Sequence, residues 1–201
     1  MEILELEQGS EEWLQARMGK ATASNFSKIV TTKGVESATL SKYALELASE
    51  LLLVKPEAGY KNDNMQRGND LEPFARESYE LEKFVEVKEV GFMSCGDYGY
   101  SPDGLIGDDG LVEIKCPLAT THLQYLIDGK LPTAYFQQCQ GGLMVSGRRY
   151  LDFISYHPNF QDDKKLFIIR VERDEEFIKK LKAGIDKVIE LRDQFITKIK
   201  G

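Results

Sequence analysis

The sequence predicts an α/β or α+β domain built on a central mixed sheet flanked by helices. Three features carry that expectation. Helical periodicity fills most of the first 83 residues, a cluster of short strands occupies roughly residues 84–117, and two further β-rich segments precede a long amphipathic C-terminal helix.

The elements follow in order. Glu2–Leu6 reads as a short strand or extended lead-in. Ser10 followed by Glu11 and Glu12 marks a capped helix start, Trp13, Leu14 and Met18 form its apolar stripe, and Gly19 ends it. A second start falls at Thr22-Ala23-Ser24-Asn25, where small hydroxyls either cap a helix or receive a phosphate. Leu40–Leu53 is a strong helix with Tyr43, Leu47 and Leu51 on one face, and Pro56–Asn69 is a polar connection containing Gly59 and Gly68. Asp70–Lys83 reads as a helix turning Leu71, Phe74, Ala75, Tyr79 and Leu81 inward, with Glu72 beside Pro73 in its first turn.

Phe84–Met93 alternates as a strand, and Ser94–Tyr98 turns into a hairpin. Thr120–Asp128 and Pro132–Val145 are helical, and Gln137, Gln138 and Gln140 give the second a polar face. Arg149–Tyr156 and Leu166–Val171 form an antiparallel pair. Asp174 then caps a helix whose stripe runs through Phe177, Leu181, Ile185, Val188, Phe195 and Ile199.

The chemistry concentrates in the hairpin YSPDGLIGDDGLVEIKCP, residues Tyr100–Pro117. A three-residue loop Asp108-Asp109-Gly110, with its glycine in the left-handed region, pairs Gly107 with Leu111, Leu105 with Glu113 and Asp103 with Lys115. Side chains alternate faces, so Asp103, Glu113 and Lys115 emerge together. A two-residue turn at Asp109-Gly110 would instead send Asp103 to the opposite face. Two carboxylates offer hard oxygen ligands to Mg²⁺ or Mn²⁺, and a lysine beside them can position water or stabilise charge on a phosphoryl group.

At 201 residues the chain suits one domain, 1–201, with a sizeable core, and 42% hydrophobic with 29% charged residues is ordinary for a globular protein. No apolar run approaches membrane-spanning length and the acidic start MEILELEQ is not a signal peptide, so an intracellular protein is expected. Cys95, Cys116 and Cys139 are odd in number and form no C-x-x-C, which fits reduced thiols. With only His122 and His157 beside them, a structural zinc site is not expected. A net charge of −7 and a pI near 5.1 argue against coating nucleic acid over a broad surface, but leave room for a local basic groove. Signatures of dinucleotide, P-loop, serine-hydrolase and zinc-protease sites are absent from the sequence.

Pro102-Asp103 followed by Glu113-Ile114-Lys115 resembles the PD-(D/E)XK nuclease signature. Its neighbours resemble the phage lambda exonuclease family, also called YqaJ-type viral recombinases. The stretches are WLQARMGKATAS (Trp13–Ser24), RGNDLEPFARESYE (Arg67–Glu80), SPDGL, LVEIKCP, AYFQQCQ (Ala134–Gln140) and VERDEEF (Val171–Phe177). They occur in family order over nearly the whole chain.

The resemblance implies a restriction-endonuclease-like fold and a Mg²⁺-dependent exonuclease (Mn²⁺ being an alternative ion). The family degrades the 5′-ended strand of double-stranded DNA and leaves a 3′ overhang. It further implies a ring-shaped homotrimer threaded by DNA, a single-strand annealing protein as partner, and a phage or prophage protein in the cytoplasm of a bacterial host. By matching motif, Asp103, Glu113 and the Ile114 carbonyl would ligate metal, Lys115 would activate or orient water, and Glu72 would be an additional active-site acid. Arg17, Ser24 and Ser101 match residues that receive the 5′-phosphate, and Gln138 sits beside the active site and belongs with both the catalytic and the DNA-binding residues. The chain departs from the lambda enzyme at Thr121, where that enzyme carries an arginine after its Cys-Pro segment. A structure-specific endonuclease and a non-catalytic DNA-end-binding module are the alternative readings.

Overall fold

Period-two alternation divides the interior into two halves on either side of one sheet. The structure, a computed structural model, describes residues 1–56 and 63–200. Five strands run in the order β3 (Val87–Lys88), β6 (Gly104–Ile106), β7 (Gly110–Lys115), β8 (Tyr150–Tyr156) and β9 (Leu166–Glu172). β7 and β8 are parallel and the other pairs antiparallel, so the sheet is mixed as expected. On β8, Leu151 and Phe153 enter one core while Ile154 and Tyr156 enter the other. A second, four-stranded sheet has the order β1 (Glu2–Leu4), β4 (Phe92–Cys95), β5 (Tyr98–Tyr100) and β2 (Ala21–Thr22).

Parallel strands need a long crossover, and the helical segment between β7 and β8 supplies it. It comprises α4 (Ala119–Asp128), a 3₁₀ turn at Thr133–Tyr135 and α5 (Phe136–Ser146). Gly129 and Gly147 end the two helices in the left-handed conformation. In the N-terminal part, α1 (Glu11–Arg17) is capped by Ser10, whose Oγ accepts from the Trp13 amide at 3.1 Å. A 3₁₀ helix at Ala23–Lys28 follows, then α2 (Leu40–Leu52). The long α6 (Glu175–Lys200) begins at Asp174, whose Oδ1 accepts from the Phe177 amide at 2.9 Å. Phe177, Leu181, Ile185 and Val188 bury its stripe in the larger core, while Ile199 is exposed.

Five expectations need correction. The helix read as Asp70–Lys83 is α3, Asp63–Lys83, so Glu72 lies in its middle and not in its first turn. Pro73 sits inside that helix, removing one amide from its hydrogen-bond ladder. Of the polar connection read over Pro56–Asn69, residues 63–69 are therefore helical, and 57–62, with Gly59, fall outside the described residues. Phe74 and Leu81 point to solvent, because α3 rests on the sheet through Ala75 and Tyr79 alone among its fully buried residues.

The strand read over Phe84–Met93 is two pieces, β3 and β4, which belong to different sheets. Phe84, with φ of 54°, breaks the chain direction before them. Gln137 and Gln140 are buried, not solvent-facing: their amides donate to Val30 O (3.2 Å) and Glu172 O (2.8 Å), tying α5 to the chain around it. Among the described residues no helix is long and apolar enough to cross a membrane.

Candidate active site

The hairpin of β6 and β7 pairs Gly104 with Val112, Leu105 with Leu111 and Ile106 with Gly110. This is two residues out of step with the sequence reading. Gly107, at φ +47°, takes the left-handed position, so the loop is Gly107-Asp108-Asp109. Gly110 is instead needed by the next strand, since a Cβ there would stand 2.5 Å from the Tyr150 ring. A shift of two preserves side-chain parity, and continuing the register sets Asp103 opposite Glu113 with Lys115 on the same face.

Glu113 is the centre of the arrangement, with only 1% of its surface exposed. Its Oε1 accepts from Lys115 Nζ at 2.5 Å and Gln138 Nε2 at 2.6 Å, and its Oε2 from Tyr100 OH at 2.8 Å. Asp103 Oδ2 accepts the Ile114 amide at 2.6 Å, which pins the acid against the strand that carries Glu113. The helix that delivers Gln138 comes close because of paired glycines. A Cβ on Gly142 would lie 2.7 Å from the Tyr100 ring, and one on Gly141 2.3 Å from Phe26.

The charges do not balance. Burial, reinforced by the neighbouring Glu113, pushes the Asp103 carboxyl well above the usual carboxylate range. Burial alone would lower the Lys115 ammonium, but Glu113 and Asp103 outweigh it and hold the lysine protonated. One ammonium thus faces two carboxylates. Asp103 Oδ2 is engaged, while Oδ1 accepts no hydrogen bond from the described residues. An all-oxygen donor set with surplus negative charge fits a hard divalent cation. Among the described residues no three His, Cys, Asp or Glu side chains converge into a metal-holding group, which leaves the Asp103–Glu113 pair as the candidate side-chain donors.

Glu72 stands apart from that pair. Its Oε1 is 2.8 Å from Arg76 Nη2, one helical turn along α3, and Arg76 Nη1 reaches Glu89 at 2.6 Å. Burial raises the Glu72 carboxyl, and the Arg76 and Lys115 charges offset part of the rise. A cavity of about 770 Å³ lies between α3 and the N-terminal segment, with Gln8, Trp13, Asn69, Glu72, Arg76 and Asp103 in its wall.

The expected phosphate residues are partly assembled. Arg17 Nη1 donates to Ser101 Oγ at 2.7 Å, and its guanidinium lies 3.9 Å from the Trp13 ring centroid. Trp13 Nε1 also donates to Ser101 Oγ, at 3.0 Å. Burial lowers the Arg17 pKa to about 10, still fully charged at neutral pH; the Glu50 charge offsets part of that fall, though no acid comes within ion-pair distance of Arg17 among the described residues. Arg17 also lines a second cavity of about 270 Å³ with Lys20, Thr22, Asn25, Lys28 and Tyr43. Ser24 is exposed on the 3₁₀ helix, its hydroxyl 3.5 Å from Thr22 Oγ1; Thr22 lines that cavity, but Ser24 does not meet Ser101.

Sequence reasoning missed Tyr100, Arg76 and the polar role of Trp13. Trp13 is legible only as part of an apolar stripe, and its indole N–H reveals nothing until Ser101 is folded against it. Cys116 is half-buried against the smaller core, and burial pushes its thiol up to about 11, consistent with an inert small side chain.

A mixed sheet presenting paired carboxylates and a lysine from one hairpin offers the groups that hard-cation and phosphoryl chemistry requires. The YqaJ-like viral recombinase domain matches residues 12–149, and the chain belongs to that family. The match spans Arg17, Glu72, Asp103, Glu113, Lys115 and Gln138. The structure is similar to that of an alkaline exonuclease, LHK-Exo, from Laribacter hongkongensis. Identity is 36% over 95% of this chain and 96% of that one, with a TM-score of 0.87. The same figures hold for that exonuclease in complex with dAMP. A phage related exonuclease from Haemophilus somnus 129PT shares the fold at 18% identity, covering 92% of this chain and 99% of that one, with a TM-score of 0.70. No curated protein matches the chain.

Proposed function

We propose that this protein is a metal-dependent exonuclease that digests the 5′-ended strand of double-stranded DNA and leaves a 3′ overhang for recombination by strand annealing. The observation that carries the reading is the buried Glu113 carboxylate, gripped by Lys115, Gln138 and Tyr100 beside Asp103. A carboxylate held this firmly in an uncompensated site suits a residue that must not move while charge passes in front of it. Membership of the YqaJ-like family and likeness to an alkaline exonuclease support the substrate class.

Asp103, Glu113 and the Ile114 carbonyl would hold Mg²⁺, with Mn²⁺ as an alternative. The ion supplies Lewis-acid polarisation of the phosphate and a more acidic water. Lys115, kept protonated by its two acids, orients the attacking water and offsets charge developing on the phosphoryl oxygens. Gln138 and Tyr100 fix Glu113, so that its geometry survives the approach of a polyanion. Arg17 and Ser101, backed by Trp13, receive the terminal 5′-phosphate: a desolvated guanidinium with no acid in ion-pair contact among the described residues, and only the Glu50 carboxylate acting on it through space, gains from an incoming dianion. Ser24 would contribute from the adjoining 3₁₀ helix. A homotrimeric ring enclosing DNA would let an acidic chain retain its substrate, and a single-strand annealing protein would take up the overhang inside the host cell.

The test is digestion of linear duplex with Mg²⁺, comparing label release from 5′-phosphate, 5′-hydroxyl and 3′-labelled ends, beside a covalently closed circle. Early 5′ release, faster from phosphorylated ends and abolished by chelator, is the expected result. Cutting of the circle would make the protein an endonuclease, and no metal-dependent release would leave a binding module.

A further inference from the structure

Arg76 sits where a guanidinium is costly. Its side chain is 11% exposed, and its Nε is buried without a hydrogen-bond partner among the described residues. Its terminal nitrogens go to different carboxylates, Nη2 to Glu72 and Nη1 to Glu89 on the exposed rim. A buried donor left unpaired is a penalty that an apolar side chain of similar length would avoid. The position therefore answers to something besides packing. Glu72 and Asp103 feel each other's charge across the cavity whose wall they share with Arg76, yet the three acids do not converge into one ligand group. Whether the site offers two side-chain carboxylates or three depends on which partner Glu72 takes.

We infer that Arg76 is a positioning residue that holds Glu72 away from the Asp103–Glu113 pair, so that a divalent cation must compete with the guanidinium for the third acid. Glu89 is part of the device. By sharing Arg76 it weakens the grip on Glu72, and it keeps the arginine anchored at the rim when Glu72 lets go. The inference rests on the reading of Asp103 and Glu113 as a metal site.

The experiment is Mn²⁺ binding to the full chain without DNA, followed by the electron paramagnetic resonance signal of free Mn²⁺. Arg76→Met should tighten binding about tenfold, and Arg76→Lys should fall between it and the natural protein. In a Glu72→Gln background Arg76→Met should give no gain. A gain that persists there is a through-space charge effect and overturns the inference, as does unchanged or weaker binding in Arg76→Met itself. Should Arg76→Met fail to fold, Glu89→Gln at the exposed rim carries the test. It concentrates the guanidinium on Glu72 and should weaken Mn²⁺ binding several-fold only while Glu72 is present; no change, or a change independent of Glu72, overturns the inference. Asp103→Asn separates the two failures. Binding that survives it refutes the metal-site reading, whereas Asp103-dependent binding indifferent to Arg76 and Glu72 refutes this inference alone.

Discussion

Lys115 Nζ stands 2.5 Å from Glu113 Oε1, two residues back along the same strand, and both side chains lie on the face that meets Asp103. The ammonium is bonded to Glu113 and attracted by the Asp103 charge, so its charge and place are set before substrate arrives. Lys115→Ala should reduce nucleotide release by at least about 10²-fold, the scale of removing one preorganised charge-stabilising donor. DNA binding should largely persist, because Lys115 is one cation among several near the cavities. Parallel nuclease and filter-binding assays check this, and near-normal turnover would remove Lys115 from the chemistry.

Much of this arrangement was legible because it depends on parity. The hairpin register read from the sequence was displaced by two residues, yet Asp103, Glu113 and Lys115 still share a face, since an even shift leaves alternation intact. Gly107 and Gly110 compete for the left-handed position, and only the Tyr150 ring packed on Gly110 decides between them. Gln138 reads as a solvent-facing residue when α5 is considered alone. Its contact with Glu113 is a tertiary product of Gly141 and Gly142 bringing the helix in. Glu72 was read one turn from a helix start because Pro73 resembles a first-turn proline; packing carries α3 through it from Asp63. The split of residues 84–93 between two sheets has no local signature, as both halves alternate equally well.

Metal removal should expose the cost of the acid pair. Asp103 has its folded pKa raised by burial and by Glu113, so between the ordinary carboxylate range and that raised value the folded state binds more protons than the unfolded one. Stability must then fall as pH rises through that window when no cation is present. Mg²⁺ should restore stability, and by more at the upper end of the window. Thermal unfolding against pH, with chelator and with Mg²⁺, measures both slopes. Asp103→Asn should flatten the chelator curve, and an unchanged slope would show that Asp103 is not the group responsible.

Arg17 offers a sharper separation of binding from chemistry. Its guanidinium is bonded to Ser101 Oγ at 2.7 Å and stacked on Trp13, without contact to Glu113 or Lys115. Arg17→Ala should therefore spare hydrolysis of the phosphodiester while erasing most of the preference for 5′-phosphorylated over 5′-hydroxyl ends. A charge-assisted pair of about 1.5–3 kcal/mol corresponds to roughly 10–100-fold in that ratio. Competition between the two end types in one reaction reads it directly. Trp13→Phe should lose part of the same preference, since the ring stays beneath the guanidinium but the indole N–H to Ser101 is gone.

Gly142 tests whether the close approach of α5 is what organises Glu113. An added methyl would stand 2.7 Å from the Tyr100 ring, whose hydroxyl holds Glu113 Oε2 at 2.8 Å. Tyr100 is fully buried, and at that distance either the ring or the helix must move. Gly142→Ala should cost about 1–3 kcal/mol by overpacking and should also depress nucleotide release, because Gln138 lies one turn upstream on the same helix. Tyr100→Phe distinguishes the causes. It keeps the packing and removes only the hydroxyl, leaving one carboxylate oxygen of Glu113 without its donor at a cost of about 1–3 kcal/mol. If Tyr100→Phe lowers activity and Gly142→Ala lowers it further, both the hydrogen bond and the helix position matter. If Gly142→Ala loses stability but keeps full activity where folded, the Glu113 geometry does not depend on the depth at which α5 sits.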